Sequence, residues 1–180
     1  MGLSLESMAI EMPTVHGHPN RAGFRGVLTV VDAASDKSPA GARGHRVLLT
    51  RRAAEAAIPS LLGMALDYSP TLDRHDARRK IGVITRAEIV GRTIEVGGFL
   101  YARDFPEIVA EIGRADRVSK SADKGVRGTR AGLGMSYEIA DALVEDIRAN
   151  VWVLNRVTFT GAAVLKRDKA AYGSTWIELQ

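Results

Sequence analysis

Residues 80 to 100 constrain the fold more than any other stretch. Lys80-Ile81-Gly82-Val83-Ile84-Thr85 is rich in β-branched residues and forms one run, Ala87 to Val90 a second and Arg92 to Leu100 (RTIEVGGFL) a third, with only Gly91-Arg92 between the last two. Such runs read as strands, and two strands joined by a tight glycine-containing turn are antiparallel neighbours. No helical crossover intervenes, which argues against a doubly wound parallel sheet. Phe24 to Val31 (FRGVLTVV), Arg46 to Leu49, Leu133 to about Ala140, and Val151 to Leu165 with a break at Gly161 supply further strands. The expected fold class is α+β, a mainly antiparallel β-sheet closing into a small barrel and flanked by a few helices.

Helix signals are fewer. Thr50 stands where a helix cap would, before the helix-forming run Arg51 to Ile58, and Pro59 restarts or kinks that helix. Asp104 reads as a second cap, with Pro106 in the first turn and Ile108, Val109 and Ile112 on one stripe; Gly113 is the expected end. Lys166 to Tyr172 reads as a short helix or turn. Asp32 to Gly44 and Asp67 to Arg79 read as loops, the second polar and irregular, and residues 1–20 as a weakly structured start. A chain of 180 residues without repeats or composition breaks is expected to be one domain, 1–180.

Composition removes several classes of function. There are no cysteines, so thiolate nucleophiles, disulfides and thiolate zinc sites are excluded. No apolar run approaches the roughly 20 residues of a membrane span, and no basic-plus-apolar leader opens the sequence, so a cytosolic setting is expected. The net charge is +4. Between Arg114 and Arg130 six cationic residues (Arg114, Arg117, Lys120, Lys124, Arg127, Arg130) stand against Asp116 and Asp123. A basic stripe can bind nucleic acid, but no aromatic residue interleaves this one, so 114–131 is expected to be a mobile basic loop and nucleic acid not a specific ligand. Its polar, glycine-containing part from Ser119 to Ala131 is also a candidate for proteolytic nicking. His16-Gly17-His18 has no carboxylate or thiol beside it and is not expected to bind metal. No cofactor is expected.

The chemistry then concentrates on Leu133-Gly134-Met135-Ser136-Tyr137-Glu138, a serine in a small-and-apolar run, with Gly132 and Gly134 leaving room for close backbone approach. A serine hydroxyl needs a base to take its proton before it is a useful nucleophile. Of the four histidines, His16 and His18 lie in the weakly ordered start and His45 at a strand entrance. His75 alone lies in a charged loop, among Asp73, Arg74, Asp76, Arg78 and Arg79, and catalytic groups tend to sit on such loops. A Ser/His pair in a chain of this size is weak evidence by itself.

The order of the motifs is more specific. His75-Asp76, then a strand with Ile81-Gly82-Val83, then a hairpin and a helix, then Leu133-Gly134-Met135-Ser136-Tyr137-Glu138 resembles the head-maturation (prohead) proteases of tailed bacteriophages, serine proteases thought to share a fold with the herpesvirus protease assemblin. The resemblance covers roughly Phe24 to Tyr172. It implies a serine endopeptidase with Ser136 as nucleophile and His75 as general base. Its substrates would be the major capsid protein and scaffold, with self-cleavage, a dimer or other homo-oligomer, and action inside the assembling prohead in the bacterial cytoplasm.

Two departures stand out. The family's Ile-Gly-Phe after the serine is Tyr137-Glu138-Ile139 here, and its Glu-Val-Ser-Leu-Val strand corresponds to Arg156-Val157-Thr158-Phe159-Thr160. Arg156 thus replaces the acid, leaving Thr158, Asp76, Asp141 or Asp146 as the third member of the site, or a dyad without one. The resemblance also offers Arg167, or nearby backbone N–H groups, for the oxyanion. A catalytically inactive capsid-assembly or scaffold-like module of the same fold is the competing expectation.

Overall fold

A computed structural model describes residues 7–122 and 132–180 of the chain. Nine strands, two α-helices and three short 3₁₀ turns follow one another in it. The strands are β1 (Ser7–Ala9), β2 (Ala22–Val30), β3 (Arg46–Leu49), β4 (Ala65–Tyr68), β5 (Lys80–Val90), β6 (Thr93–Leu100), β7 (Leu133–Val144), β8 (Val151–Lys166) and β9 (Trp176–Leu179). The helices are α1 (Arg51–Ala57) and α2 (Pro106–Ala122). The class is α+β, mostly sheet, and the sheet is mixed and curled through about half a barrel.

The runs read as separate strands at 80–85 and 87–90 are one strand, β5, with an irregularity between Ile84 and Arg86, and the hairpin at Gly91-Arg92 is β5–β6, paired antiparallel from Gly82↔Leu100 to Val90↔Thr93. Its turn uses Gly91 at φ +58°, a left-handed conformation that glycine adopts without steric cost. β6 pairs next with β2, and β2 with β9. On the far side of β5 lies β4, and β1 extends that same edge beside Arg86 to Glu88.

β8 organises the other half. One edge pairs antiparallel with β7 along almost its whole length. The other edge pairs parallel with β3 through Val151 to Leu154, then parallel with β4 through Ala162 to Val164. The break read at Gly161 is a bulge: Glu138 faces Gly161 while Ile139 faces Phe159, so Thr160 is the extra residue and β8 continues through it. β4 and β9 are strands that the sequence reading missed, as is β1, which lies in the start read as weakly structured. Ala65-Leu66-Asp67-Tyr68 carries too little β-branched character in four residues to stand out from the polar loop after it.

Helix α1 begins as read, with Thr50 Oγ1 accepting from the Ala53 N–H at 3.2 Å. Helix α2 does not end at Gly113; it runs to Ala122, burying Ile108 and Ile112. The first part of the expected basic loop is therefore helix, with Arg114 salt-bridged to Glu111 at 2.6 Å, whereas Lys124, Arg127 and Arg130 lie outside the described residues. Asp104 takes the Asn20 side-chain amide at 2.8 Å. No helix among the described residues is long and apolar enough to cross a membrane.

The core fills the concave side of the sheet with Phe24, Leu28, Leu49, Leu66, Ile81, Ile84, Ile94, Leu100 and Phe159. β7 and β9, the strands at the two ends of the curl, are not hydrogen-bonded to each other as a ladder. Side chains span the gap instead. Thr175 Oγ1 accepts from the Met135 N–H at 3.1 Å and donates to the Tyr172 carbonyl at 2.9 Å, fully buried. Gly134 permits this approach, because a Cβ there would come within 2.8 Å of Thr175 Oγ1. Thr175→Val keeps the shape but leaves the buried Met135 N–H unpaired, while the Tyr172 carbonyl retains only the Thr175 backbone N–H at 3.3 Å. We expect a loss of about 1–3 kcal/mol in urea unfolding.

Candidate active site

The site is a row of three residues across three strands. Asp67 on β4 pairs in register with Ala163 on β8, and Ala163 pairs with Ser136 on β7. Residues in register on neighbouring strands point to the same face, here the convex one, because Leu66, Ala162 and Tyr137 take the core side. Asp67 and Ser136 thus stand two interstrand spacings apart, roughly 10 Å between backbones, with only the Ala163 methyl between them. The imidazole of His75 bridges that interval. Its Nε2 lies 3.3 Å from Ser136 Oγ. Its Nδ1 lies 3.5 Å from Asp67 Oδ1 and 3.3 Å from Glu138 Oε1.

Glu138 reaches the ring by the same rule of alternation. It shares the convex face with Ser136, two residues back, and faces Gly161 across the ladder. A Cβ on Gly161 would stand 3.1 Å from Glu138 Oε2, so the missing side chain makes the space in which this carboxylate lies over β8. The long strand's two smallest residues on this face, Gly161 and Ala163, make the floor of the site.

The loop from Ser69 to Arg79 that carries His75 is polar but well tied. Leu72 is buried, the Lys166 N–H donates to the Leu72 carbonyl at 2.7 Å, and Ser69 Oγ donates to Asp73 Oδ1 at 3.0 Å. Leu72 itself has φ +53°, a left-handed turn that sends the chain back over the sheet. These ties hold a charged loop at a defined height above β4 and β8.

Asp67 is a fully buried carboxylate. Burial opposes its ionisation, but His75, the Asp76 N–H donating to Oδ1 at 3.1 Å and Lys80 Nζ at 3.4 Å outweigh it and hold the carboxyl below the usual range. The His75 contact is long for a hydrogen bond. Nδ1 is buried, and neither carboxylate completes a hydrogen bond to it.

His75 and Ser136 are brought together, and the other sequence candidates are not. Thr158 faces Ala140 across the ladder, four residues along β7 from Ser136 and therefore roughly 13 Å away along the strand. Asp76 turns its carboxylate to Arg78 and Arg79 and offers the site only its N–H. Asp141 sits in a left-handed bulge of β7, exposed. Asp146 accepts from the Arg148 N–H in the β7–β8 turn. Arg167 donates to the carbonyls of Thr175 (3.1 Å) and Leu133 (3.4 Å), which joins the segment before β9 to the start of β7. His18 Nδ1 accepts from the Asn20 N–H.

Asp67 and Glu138, the acids that do face His75, are absent from the candidates that the sequence offered for the third member. Glu138 carried a legible signal, since it lies two residues beyond the serine in a strand. Asp67 carried none, because its strand was read as loop. The chain matches no protein-family model and none of the curated proteins.

A half-buried serine–histidine contact with carboxylates behind the far ring nitrogen can support proton transfer from the hydroxyl. The floor is equally part of it. Ala163→Val adds two methyl groups beneath the ring; we expect a cost of about 1–3 kcal/mol and displacement of His75, read as a change in its imidazole NMR resonances with the far-UV circular dichroism spectrum retained.

Proposed function

We propose that this chain is a serine endopeptidase in which Ser136 is the nucleophile and His75 the general base. The 3.3 Å contact between His75 Nε2 and Ser136 Oγ, with two carboxylates behind Nδ1, carries this reading. A mere strand hydroxyl would not need a histidine held above it by a tied loop over a floor of Gly161 and Ala163.

In the proposed reaction Ser136 Oγ attacks a peptide carbonyl as its proton passes to Nε2. The tetrahedral intermediate then collapses, the C–N bond breaks, and the proton moves from Nε2 to the departing amine. Water repeats the sequence on the acyl ester, with Nε2 again taking the proton, and releases the acid. Asp67 and Glu138 take the role for which Thr158, Asp76, Asp141 and Asp146 were candidates. They favour the imidazolium that forms when Nε2 is protonated and hold the ring's orientation. Asp67 is the stronger of the two, because it is buried and fixed by the Asp76 N–H, whereas the Glu138 side chain is 37% exposed.

The substrate class comes from the resemblance to prohead proteases: the major capsid protein or scaffold, and this chain itself, within the assembling head in the bacterial cytoplasm. The closed small barrel belongs to the same reading, with β7 and β9 as two lips joined by Thr175 and Arg167.

Two sets of variants test the proposal on capsid or scaffold precursor. Ser136→Ala and His75→Ala should each lower cleavage at least about a thousandfold. Equal cleavage by wild type and Ser136→Ala would exclude the nucleophile; no cleavage by either, at any state of assembly, favours the inactive assembly module. Asp67→Asn should reduce kcat by roughly 10²–10⁴ with little change in KM, and Glu138→Gln by less. The reverse order would assign the orienting role to Glu138.

A further inference from the structure

We propose that Asp67, His75 and Glu138 also form a binding site for a divalent transition-metal ion of the zinc type, and that the bound ion switches Ser136 off. The switch rests on the peptidase reading; the site does not.

Three observations converge on the far side of the imidazole. His75 Nδ1 is buried without a hydrogen-bond partner. Two carboxylate oxygens approach it, at 3.3 Å from Glu138 and 3.5 Å from Asp67, and the three ligand atoms all lie within 4.8 Å of one another. Finally, two carboxylates share one small space with Lys80 Nζ, 3.4 Å from Asp67 Oδ2, and the negative charge in excess of that ammonium favours a further cation.

The two Nδ1–oxygen spacings suit metal ligands better than they suit hydrogen bonds. Nitrogen and oxygen ligands bind zinc at about 2.0–2.2 Å in a tetrahedron, so neighbouring ligand atoms stand about 3.3–3.5 Å apart. The two Nδ1–oxygen distances fall in that range. Imidazole and carboxylate without thiolate is a donor set that suits zinc and neighbouring first-row ions. The Asp76 N–H on Asp67 Oδ1 supplies the outer contact that orients a ligating carboxylate. Three protein ligands leave a fourth position for water.

The consequence for the serine follows from the two ring nitrogens. A metal ion on Nδ1 occupies its lone pair, so the ring proton of the neutral imidazole resides on Nε2. Nε2 then points an N–H at Ser136 Oγ and has no lone pair with which to take the hydroxyl proton. The same histidine thus serves as base when Nδ1 carries the proton and as metal ligand when it does not.

The full chain carrying Ser136→Ala tests the site without peptidase activity. Titrating zinc chloride into it by calorimetry should show one ion per chain. Adding Glu138→Gln should weaken binding about tenfold or more, and adding His75→Ala should remove it. His16→Ala with His18→Ala, a control at the histidine pair outside the site, should leave it unchanged. Nitrogen NMR of the histidine ring should report the ion at Nδ1. Absence of binding at millimolar zinc overturns the site, as does binding that survives both Glu138→Gln and His75→Ala in variants whose circular dichroism is native. On the wild-type chain, saturating zinc should stop cleavage and a chelator should restore it; cleavage that persists overturns the switch. Zinc binding at the three residues in a chain that never cuts would remove the peptidase reading and leave the site standing.

Discussion

Strand β8 is the member on which the rest depends. It is sixteen residues long, it pairs with β7 along one edge, and it divides the other between β3 and β4. Pairing on both edges satisfies its backbone polar groups, and its burial alternates so that Phe159, Ala162 and Val164 meet the core while Ala163 and Leu165 meet the convex side. This strand fixes the register of β4 against β7, and with it the separation of Asp67 from Ser136. A slip of one residue would turn either side chain to the opposite face.

Small residues turn that register into a site. Ala163 and Gly161 lie where larger side chains would block the convex face, and their smallness admits an imidazole and a carboxylate above the sheet. The cost is a buried Asp67, a charge that requires compensation. The Asp76 N–H, Lys80 and His75 supply it, so the histidine that Asp67 faces also helps to make the burial tolerable. Gly134 plays a matching part further along β7, letting the segment from Arg167 to Thr175 close over the strand two residues before Ser136.

Long, patterned elements were legible in the sequence. The β5–β6 hairpin, the Thr50 cap and the buried stripe of α2 follow from local propensity and periodicity. Short elements held by tertiary pairing were not, and β4, β9 and β1, of three or four residues each, owe their strand character to the neighbours they join. The continuation of α2 past Gly113 is the same lesson in a helix: a glycine there costs only about 1 kcal/mol relative to alanine, and the buried Ile108 and Ile112 stabilise the turns before it.

Sequence alone determined which side chains were worth asking about. It left one serine in a strand and one histidine in a charged loop, because cysteine is absent and the remaining histidines lie elsewhere. Only the tertiary structure decided which acids accompany them. Thr158 and the acids near in sequence were ruled by chain proximity and motif order, whereas the partners of a ring nitrogen are set by register across β4, β8 and β7. Asp67 is eight residues before His75 and 69 before Ser136, and no local pattern encodes a pairing that exists only when three strands align.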